Sequence, residues 1–459
     1  MIFCGIDIGT TNTKAVLIGS DGGLVDRVTI AAEPSQVGSE AASWHKHFCD
    51  IFDSFASKGH FSDNKVICSI TAQGGSFVLL DEKFKPLSRA YSWTENADND
   101  TAQNMVDALG AEHYYHLTGW EPGSWLMACK LKDLVSKKQI PENTRYISTV
   151  PDFILSQLTD KFVTDITNAQ LTGLCDFQKA EWDKKILNWV GIDNSFLPKI
   201  ADNLSIPFDD VQTQWGKISF ATGSHDQYAA MQAAGLVEDK EVMLGTGTAW
   251  IINTRTSKPV FDDRNFIAHP GRDIFKGGFG NIIATGSIVK PIGRGLDELL
   301  AKFNLTTKQL ANMEKEFDRN DFPKEAIVAD NIEEANATQA VKRYMEATGS
   351  FVAFLLEKFE SEKSGKIIMS GGAAISGFWP QVIADLCGLT VETINFPEFT
   401  AYGAALHAKS AFEGKRIGSG LLDIAKSKHY EPIQADPYRR WYKEHQKPMF
   451  EKLLTENFK

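Results

Sequence analysis

Apolar runs at Ile2–Ile8 and Ala15–Ile18 flank a polar turn, Gly9-Thr10-Thr11-Asn12-Thr13-Lys14. A second pair of runs, Val242–Leu244 and Ala249–Ile252, flanks Gly245-Thr246-Gly247-Thr248. Each pattern predicts a strand, a tight Gly-Thr turn and a returning strand. Asp21-Gly22-Gly23 adds a further turn, so the first ~30 residues predict a three-strand antiparallel meander. Helical spacing marks Glu40–Phe55, Asp152–Leu158, Lys184–Val190 and the Ala-rich His225–Gly235. Short apolar strands are expected at Val66–Thr71 and Phe77–Leu80, on either side of Gln73-Gly74-Gly75. Ala340–Phe359 carries a helical stripe through Val341, Tyr344, Met345, Phe351, Val352 and Leu355. Ile367–Met369 reads as a buried strand leading into Gly371-Gly372-Ala373, and a helix follows from Pro380 to Leu386, stopped by Gly388. Pro198–Trp215 is polar and weakly periodic; it reads as the approach to a domain boundary near Ser219–Gly223.

Composition narrows the class. A chain of 459 residues has room for two or three domains. A net charge of −11 argues against a general nucleic-acid binder. Six cysteines without a C-x-x-C pair read as reduced and inert, which fits a cytoplasmic location. The N-terminus enters an apolar strand with no basic leader, so no signal peptide is expected, and no apolar run reaches membrane-spanning length.

The Gly-Thr turns carry the candidate chemistry. Glycine lets phosphate approach the backbone, whose N–H groups then donate. Two such turns in two halves predict a duplicated nucleotide-binding core with triphosphate between them. Asp7 ends the first strand beside its turn. A carboxylate next to phosphate needs a cation between them, so Asp7 is a candidate Mg²⁺ anchor; the plain alternative is a turn-capping Asp. The second hairpin has Leu244 in that place and offers only donors: the hydroxyls of Thr246 and Thr248 and the N–H groups of Gly245 and Gly247. Ser224-His225-Asp226-Gln227 opens a helix, where Asp226 can cap or can take a proton from an acceptor hydroxyl. His225 reads as a packing or hydrogen-bonding residue. No P-loop, G-x-G-x-x-G, H-E-x-x-H or G-x-S-x-G motif is present.

Taken together these segments resemble the FGGY carbohydrate kinases of the actin, Hsp70 and sugar-kinase superfamily. Asp7–Lys14 and Leu244–Trp250 resemble the family's phosphate motifs, and Ser370–Asp385 its adenosine motif. Glu398–Leu406 resembles the helix behind that motif, Thr164–Asp176 a sugar-domain stretch, and Gly223–Ala230 the segment with the catalytic Asp. The resemblance implies an α/β protein of two ribonuclease-H-like (actin-like ATPase) domains with an interdomain cleft. Residues 1–222 would form the sugar-binding domain and 223–459 the nucleotide-binding domain. It implies ATP as co-substrate, Mg²⁺ at Asp7, and Asp226 as the base. Thr10, Thr11, Asn12, Thr13, Gly245, Thr246, Gly247 and Thr248 would hold phosphates, and Gly371, Gly372 and Ala373 would meet adenosine. Gln73, Trp93, Asp226 and Gln227 would meet a ketose (xylulose, ribulose or fuculose-like) or polyol. Two departures stand out: Trp93-Thr94-Glu95-Asn96-Ala97 lacks the arginine of the family's run, and Gly74-Gly75 replace the Met-His of xylulokinases. Trp93, Trp120, Trp125 and Trp182 suit stacking on sugar faces. The expected partner is a small molecule, with no nucleic acid and no membrane, and with room for a homodimer. The other readings are a nucleotide-gated actin- or Hsp70-type binding protein and a degenerate kinase kept as a sugar sensor.

Overall fold

The computed structural model describes residues 1–31, 40–159, 161–201, 204–236, 241–247, 249–284, 291–359, 365–420 and 427–457. Two seven-stranded mixed sheets organise the chain. In the first, β1 (Ile2–Ile8), β2 (Asn12–Ile18) and β3 (Leu24–Ala31) form the expected antiparallel meander. The strand β4 (Val66–Ala72) lies parallel to β1 on its other side. In the second sheet Val242–Thr246, Trp250–Thr256 and Phe279–Ala284 make the meander, and Lys366–Gly371 lies parallel to its first strand. Both sheets then add one more parallel strand, Gly216–Phe220 in the first and Thr390–Ile394 in the second. The duplication seen only in two hairpins of the sequence therefore extends to strand order and direction.

The predicted helices form at Glu40–Ser57, Val150–Ser156, Lys184–Val190, Asp226–Ala233, Ala337–Phe359 and Trp379–Cys387. Pro198–Trp215 departs from expectation. It contains Phe208–Thr213, which pairs with Gly216–Phe220 as the edge of the first sheet. Alternating exposure along that edge strand explains its weak apolar signal. Ser224–His225 still pairs with β4, so the first sheet runs up to the residue before Asp226.

Strand alternation places Asp7. Ile2, Cys4, Ile6 and Ile8 share a core with Trp44, Phe48 and Phe52 of the Glu40–Ser57 helix. Phe3, Gly5 and Asp7 therefore face the other way. Over that face lies the helix Phe399–Glu413 from the second half, which packs on β1, β4, β2 and the Asp226–Ala233 helix. It was expected behind the adenosine motif; its main contacts are instead with the first sheet. The reason is glycine at two crossings: a Cβ on Gly5 would lie 2.0 Å from the Ala401 carbonyl oxygen, and one on Gly403 would lie 1.8 Å from that of Ala229.

Candidate functional site

The first turn is wired to Gln73 and Trp93. Gly9 N–H donates to Asn12 O at 3.0 Å and closes the turn. Thr10 and Thr11 are exposed at its tip. The Thr10 hydroxyl donates to Gln73 Oε1, and Trp93 Nε1 donates to the same hydroxyl at 3.3 Å. Thr10, Gln73 and Trp93 thus form one cluster, from segments that only the fold brings together. Asn12 is half-buried, and Thr13 points away: it is buried, with its hydroxyl 3.2 Å from His47 Nδ1 in the core. Its hydroxyl lies on the buried side of β2, away from the tip of the turn.

Trp93 is 45% exposed. Its loop is held by an arginine after all, from upstream: Arg89 pairs bidentately with Glu95 at 2.6 and 2.5 Å. Lys130 Nζ adds a bond to Ser92 O at 2.8 Å. The other tryptophans are committed to packing. Trp120 is buried and stacks on His269, Trp125 meets Trp120 edge-on, and Trp182 Nε1 donates to Pro198 O at 2.8 Å. The Gly74 departure also has a steric cause. A Cβ there would fall 1.7 Å from Leu171 Cδ2 and 2.9 Å from the His225 ring, which fill that space.

Asp226 is the first residue of its helix, and His225 before it, at the N-cap, makes no side-chain capping bond. The Asp226 carboxylate is fixed through Oδ1, which accepts from Gln227 Nε2 at 3.2 Å and lies 2.9 Å from His225 Nε2. The side chain is 30% exposed, and among the described residues no hydrogen bond to Oδ2 is found. Gln227 Oε1 accepts from Asn253 Nδ2 at 3.0 Å. A part-exposed carboxylate held by one oxygen, with the other unbonded, can accept a hydroxyl proton.

Asp7 stands opposite Lys14 across the β1–β2 pair and beside Thr71 of β4. Desolvation by burial, then the charge of Asp226, push its carboxyl up to about 7, while Lys14 pulls it down. Two acidic groups that repel in this way gain from a shared divalent cation. Among the described residues no cluster of three or more metal-ligating side chains exists. The Asp7 and Asp226 carboxylates are a donor set of the kind Mg²⁺ takes, one or two carboxylates with water and phosphate oxygens completing the shell.

The second turn borders two cavities. One, of about 500 Å³, is lined by Lys14, Gln227, Gly245, Gly247, Gly371 and Phe396 among others. A Cβ on Gly245 or Gly247 would meet no protein atom closer than 3.7 Å, so packing does not explain glycine there. The open space leaves room for a ligand to approach the backbone. Gly371 differs: it has φ +103°, and a Cβ would press on Thr246 O at 2.7 Å. Thr246 is buried, and its hydroxyl donates to Ser370 O at 2.7 Å and accepts from Ala373 N at 3.2 Å. It stitches the turn to the Gly371–Ala373 segment, and Thr246 lines both cavities. Thr248 lies outside the described residues.

The other cavity, of about 510 Å³, opens between that turn and Gly372-Ala373. Its far wall is Leu296, Leu310, Ala311 and Glu314, residues the motifs did not reveal. Glu314 anchors the segment by accepting from Ser376 Oγ at 2.6 Å and Gly377 N at 2.8 Å. The Ile292–Lys302 helix has an amphipathic pattern, but nothing local says what its apolar face covers. Lys14 was also missed, although it closes the first motif; its Nζ donates to Pro397 O at 2.7 Å, across the two halves.

Comparison with known proteins matches this arrangement. Residues 2–232 match the N-terminal domain of the FGGY family of carbohydrate kinases, and residues 327–412 match its C-terminal domain. The chain is 24% identical to a gluconokinase of Bacillus subtilis over 274 residues, 57% of this chain; the match spans about half of that relative, 53% of its length. It is 23% identical to a glycerol kinase of Ligilactobacillus salivarius over 95% of this chain and 94% of the relative. A xylulose kinase structure from Rhodospirillum rubrum superposes with TM-score 0.82 at 18% identity, covering 100% of both chains. Glycerol kinase of Plasmodium falciparum with ADP superposes with TM-score 0.80 at 17% identity, over 100% of this chain and 98% of that one. These neighbours share the actin-like ATPase fold. No helix among the described residues is long and apolar enough to cross a membrane. With both family domains matched in order along a fold of two like sheets, the chain belongs to the FGGY family of carbohydrate kinases.

Proposed function

We propose that this protein is a cytoplasmic ATP-dependent kinase that transfers the γ-phosphoryl group to a hydroxyl of a small ketose or polyol. The observation that carries the reading is Asp226. It is held by Oδ1, open at Oδ2, and its companion Gln227 lines the cavity of the second Gly-Thr turn. The acceptor hydroxyl gives its proton to Asp226 as its oxygen attacks the γ-phosphorus, and ADP leaves. Thr10, Thr11 and Asn12 face phosphate from one side, and Gly245 and Gly247 face it from the other. Gly371, Gly372 and Ala373 border the nucleoside cavity. Gln73, Trp93 and Gln227 border the acceptor, with 1–222 as the sugar-binding half and 223–459 as the nucleotide-binding half. Mg²⁺, held by Asp7 and phosphate oxygens, supplies charge neutralisation when bound. Such a transfer depends chiefly on positioning and charge, which these residues provide.

The relatives act on gluconate, glycerol and xylulose by name, so the acceptor panel includes aldonates, polyols, ketopentoses and deoxyketohexoses. Coupled ADP release should identify one acceptor. Asp226→Ala should then lower kcat by about 10²–10⁴-fold with ADP binding retained. Turnover near wild type in that variant removes Asp226 as the base. ATP hydrolysis indifferent to every acceptor, but stimulated by a protein, would point to a binding protein instead.

A further inference from the structure

We propose that Asn253 is a positioning residue that sets the orientation of the base through Gln227, an inference that rests on Asp226 acting as that base. An ionised carboxylate only accepts hydrogen bonds. Gln227 must therefore turn Nε2, not Oε1, toward Asp226 Oδ1, as it does at 3.2 Å. The Gln227 Oε1 then needs a donor, and Asn253 Nδ2 supplies it at 3.0 Å. The polarity of both amides follows from the charge on Asp226, outward along the chain of bonds.

Packing gives no reason for an asparagine at this position. Asn253 is fully buried in the strand Trp250–Thr256. Among the described residues its Oδ1 has no hydrogen-bond partner, and its Nδ2 meets otherwise only the Met243 sulfur at 4.0 Å. A buried amide with its carbonyl unused is costly, and an aliphatic side chain of similar size avoids that cost. Among the described residues the bond to Gln227 is the strongest contact that rewards an amide here. Without it the Gln227 side chain loses its anchor at Oε1 and can swing away from the carboxylate, leaving Oδ1 with His225 alone.

The position of Asn253 gives the bond a purpose. It lies on the strand that returns from the second Gly-Thr turn, in the second sheet. Asp226 begins directly after the last strand of the first sheet. The bond thus registers the base of one half against the phosphate turn of the other. Both contacts to Asp226 fall on Oδ1, so the fixed plane leaves Oδ2 for the acceptor.

The test is a double-mutant cycle on kcat with the best acceptor of the panel. Asn253→Leu keeps the branching at Cγ and removes the donor, and it should lower kcat about 10-fold with KM for ATP unchanged and the melting temperature within a few degrees of wild type. In a Gln227→Leu background the same substitution should change kcat no further, because its route to Asp226 is gone. Equal losses in both backgrounds overturn the inference, as does wild-type kcat in Asn253→Leu. A crystal structure of Asn253→Leu offers a readout free of turnover. The Gln227 amide should be turned or displaced from Oδ1, and an unmoved amide overturns the proposal. Failure of the base itself shows separately, in Asp226→Ala retaining activity.

Discussion

Gly403→Ala tests whether helix crossing sets catalytic geometry. The added Cβ would lie 1.8 Å from Ala229 O and 2.6 Å from Ala229 C, both backbone atoms that no side-chain rotation can move. Ordinary contact begins at 3.4 Å, so the helices Phe399–Glu413 and Asp226–Ala233 must part by about 1.5 Å. Overpacking of this kind costs ~1–3 kcal/mol, and alanine returns about 1 kcal/mol of helix propensity. The net loss of stability is therefore small, on the order of 1 kcal/mol. The catalytic effect is larger. Ala229 is in the first turn of the helix that begins with Asp226, and a displacement of ~1 Å at a reacting group costs on the order of 10²-fold. Thermal melting should fall by only a few degrees, while kcat in the coupled ADP assay falls about 100-fold. Gly365→Ala is the control, since a Cβ there meets nothing within 4 Å. If Gly403→Ala turns over at the wild-type rate, the close crossing does not govern the position of Asp226.

Thr246→Val removes the hydroxyl that bonds Ser370 O and Ala373 N, and leaving buried partners unpaired costs ~1–3 kcal/mol. Calorimetric ADP affinity should fall about 10-fold, and an unchanged affinity would show that the stitch does not shape the nucleotide cavity. Asp7→Asn should raise the Mg²⁺ concentration for half-maximal turnover about 10-fold or more; a wild-type requirement assigns the metal elsewhere. Burial, then the charges of Arg255 and Arg416, hold His407 well below its ordinary 6.5, with Ser224 Oγ at 3.1 Å and Asp273 pairing both arginines. Its contribution to stability is complete above pH 6.5 and is lost as pH falls below it. His407→Gln should melt with a shallower acid dependence in that window; parallel losses in both proteins refute the assignment.

The elements were legible because each is local. Both hairpins, the Glu40–Ser57 helix and the Trp379–Cys387 helix with its Gly388 stop carry complete short-range signatures. Thr10, Gln73 and Trp93 could be named from the resemblance, but no pattern showed that one hydroxyl joins them. The inward-facing hydroxyls of Thr13 and Thr246 were not legible for a common reason. A threonine in a turn motif looks like a donor whichever way it points, and strand register turns these two inward. Leu296, Leu310 and Glu314 form a cavity wall from segments with no motif, so only tertiary packing defines them. The Asn253 amide was hidden in an apolar strand, where one polar residue has no meaning until its partner is placed.

The helix Phe399–Glu413 has a consequence for how the chain is made. β1 is completed by residue 8, yet its face at Gly5 is covered by a segment synthesised almost 400 residues later. During translation the first sheet presents an open apolar face, and the earliest strand waits for one of the last helices. Contacts of such sequence separation are slow to close and leave aggregation-prone surface in the interval. A ribosome-bound chain halted before residue 399 should be captured by chaperones, and one released past residue 413 should escape them. The same crossing makes 1–222 and 223–459 poor candidates for separate expression: one loses its cover, and in the other the helix keeps the Asp226–Ala233 helix but loses the strands it lies on.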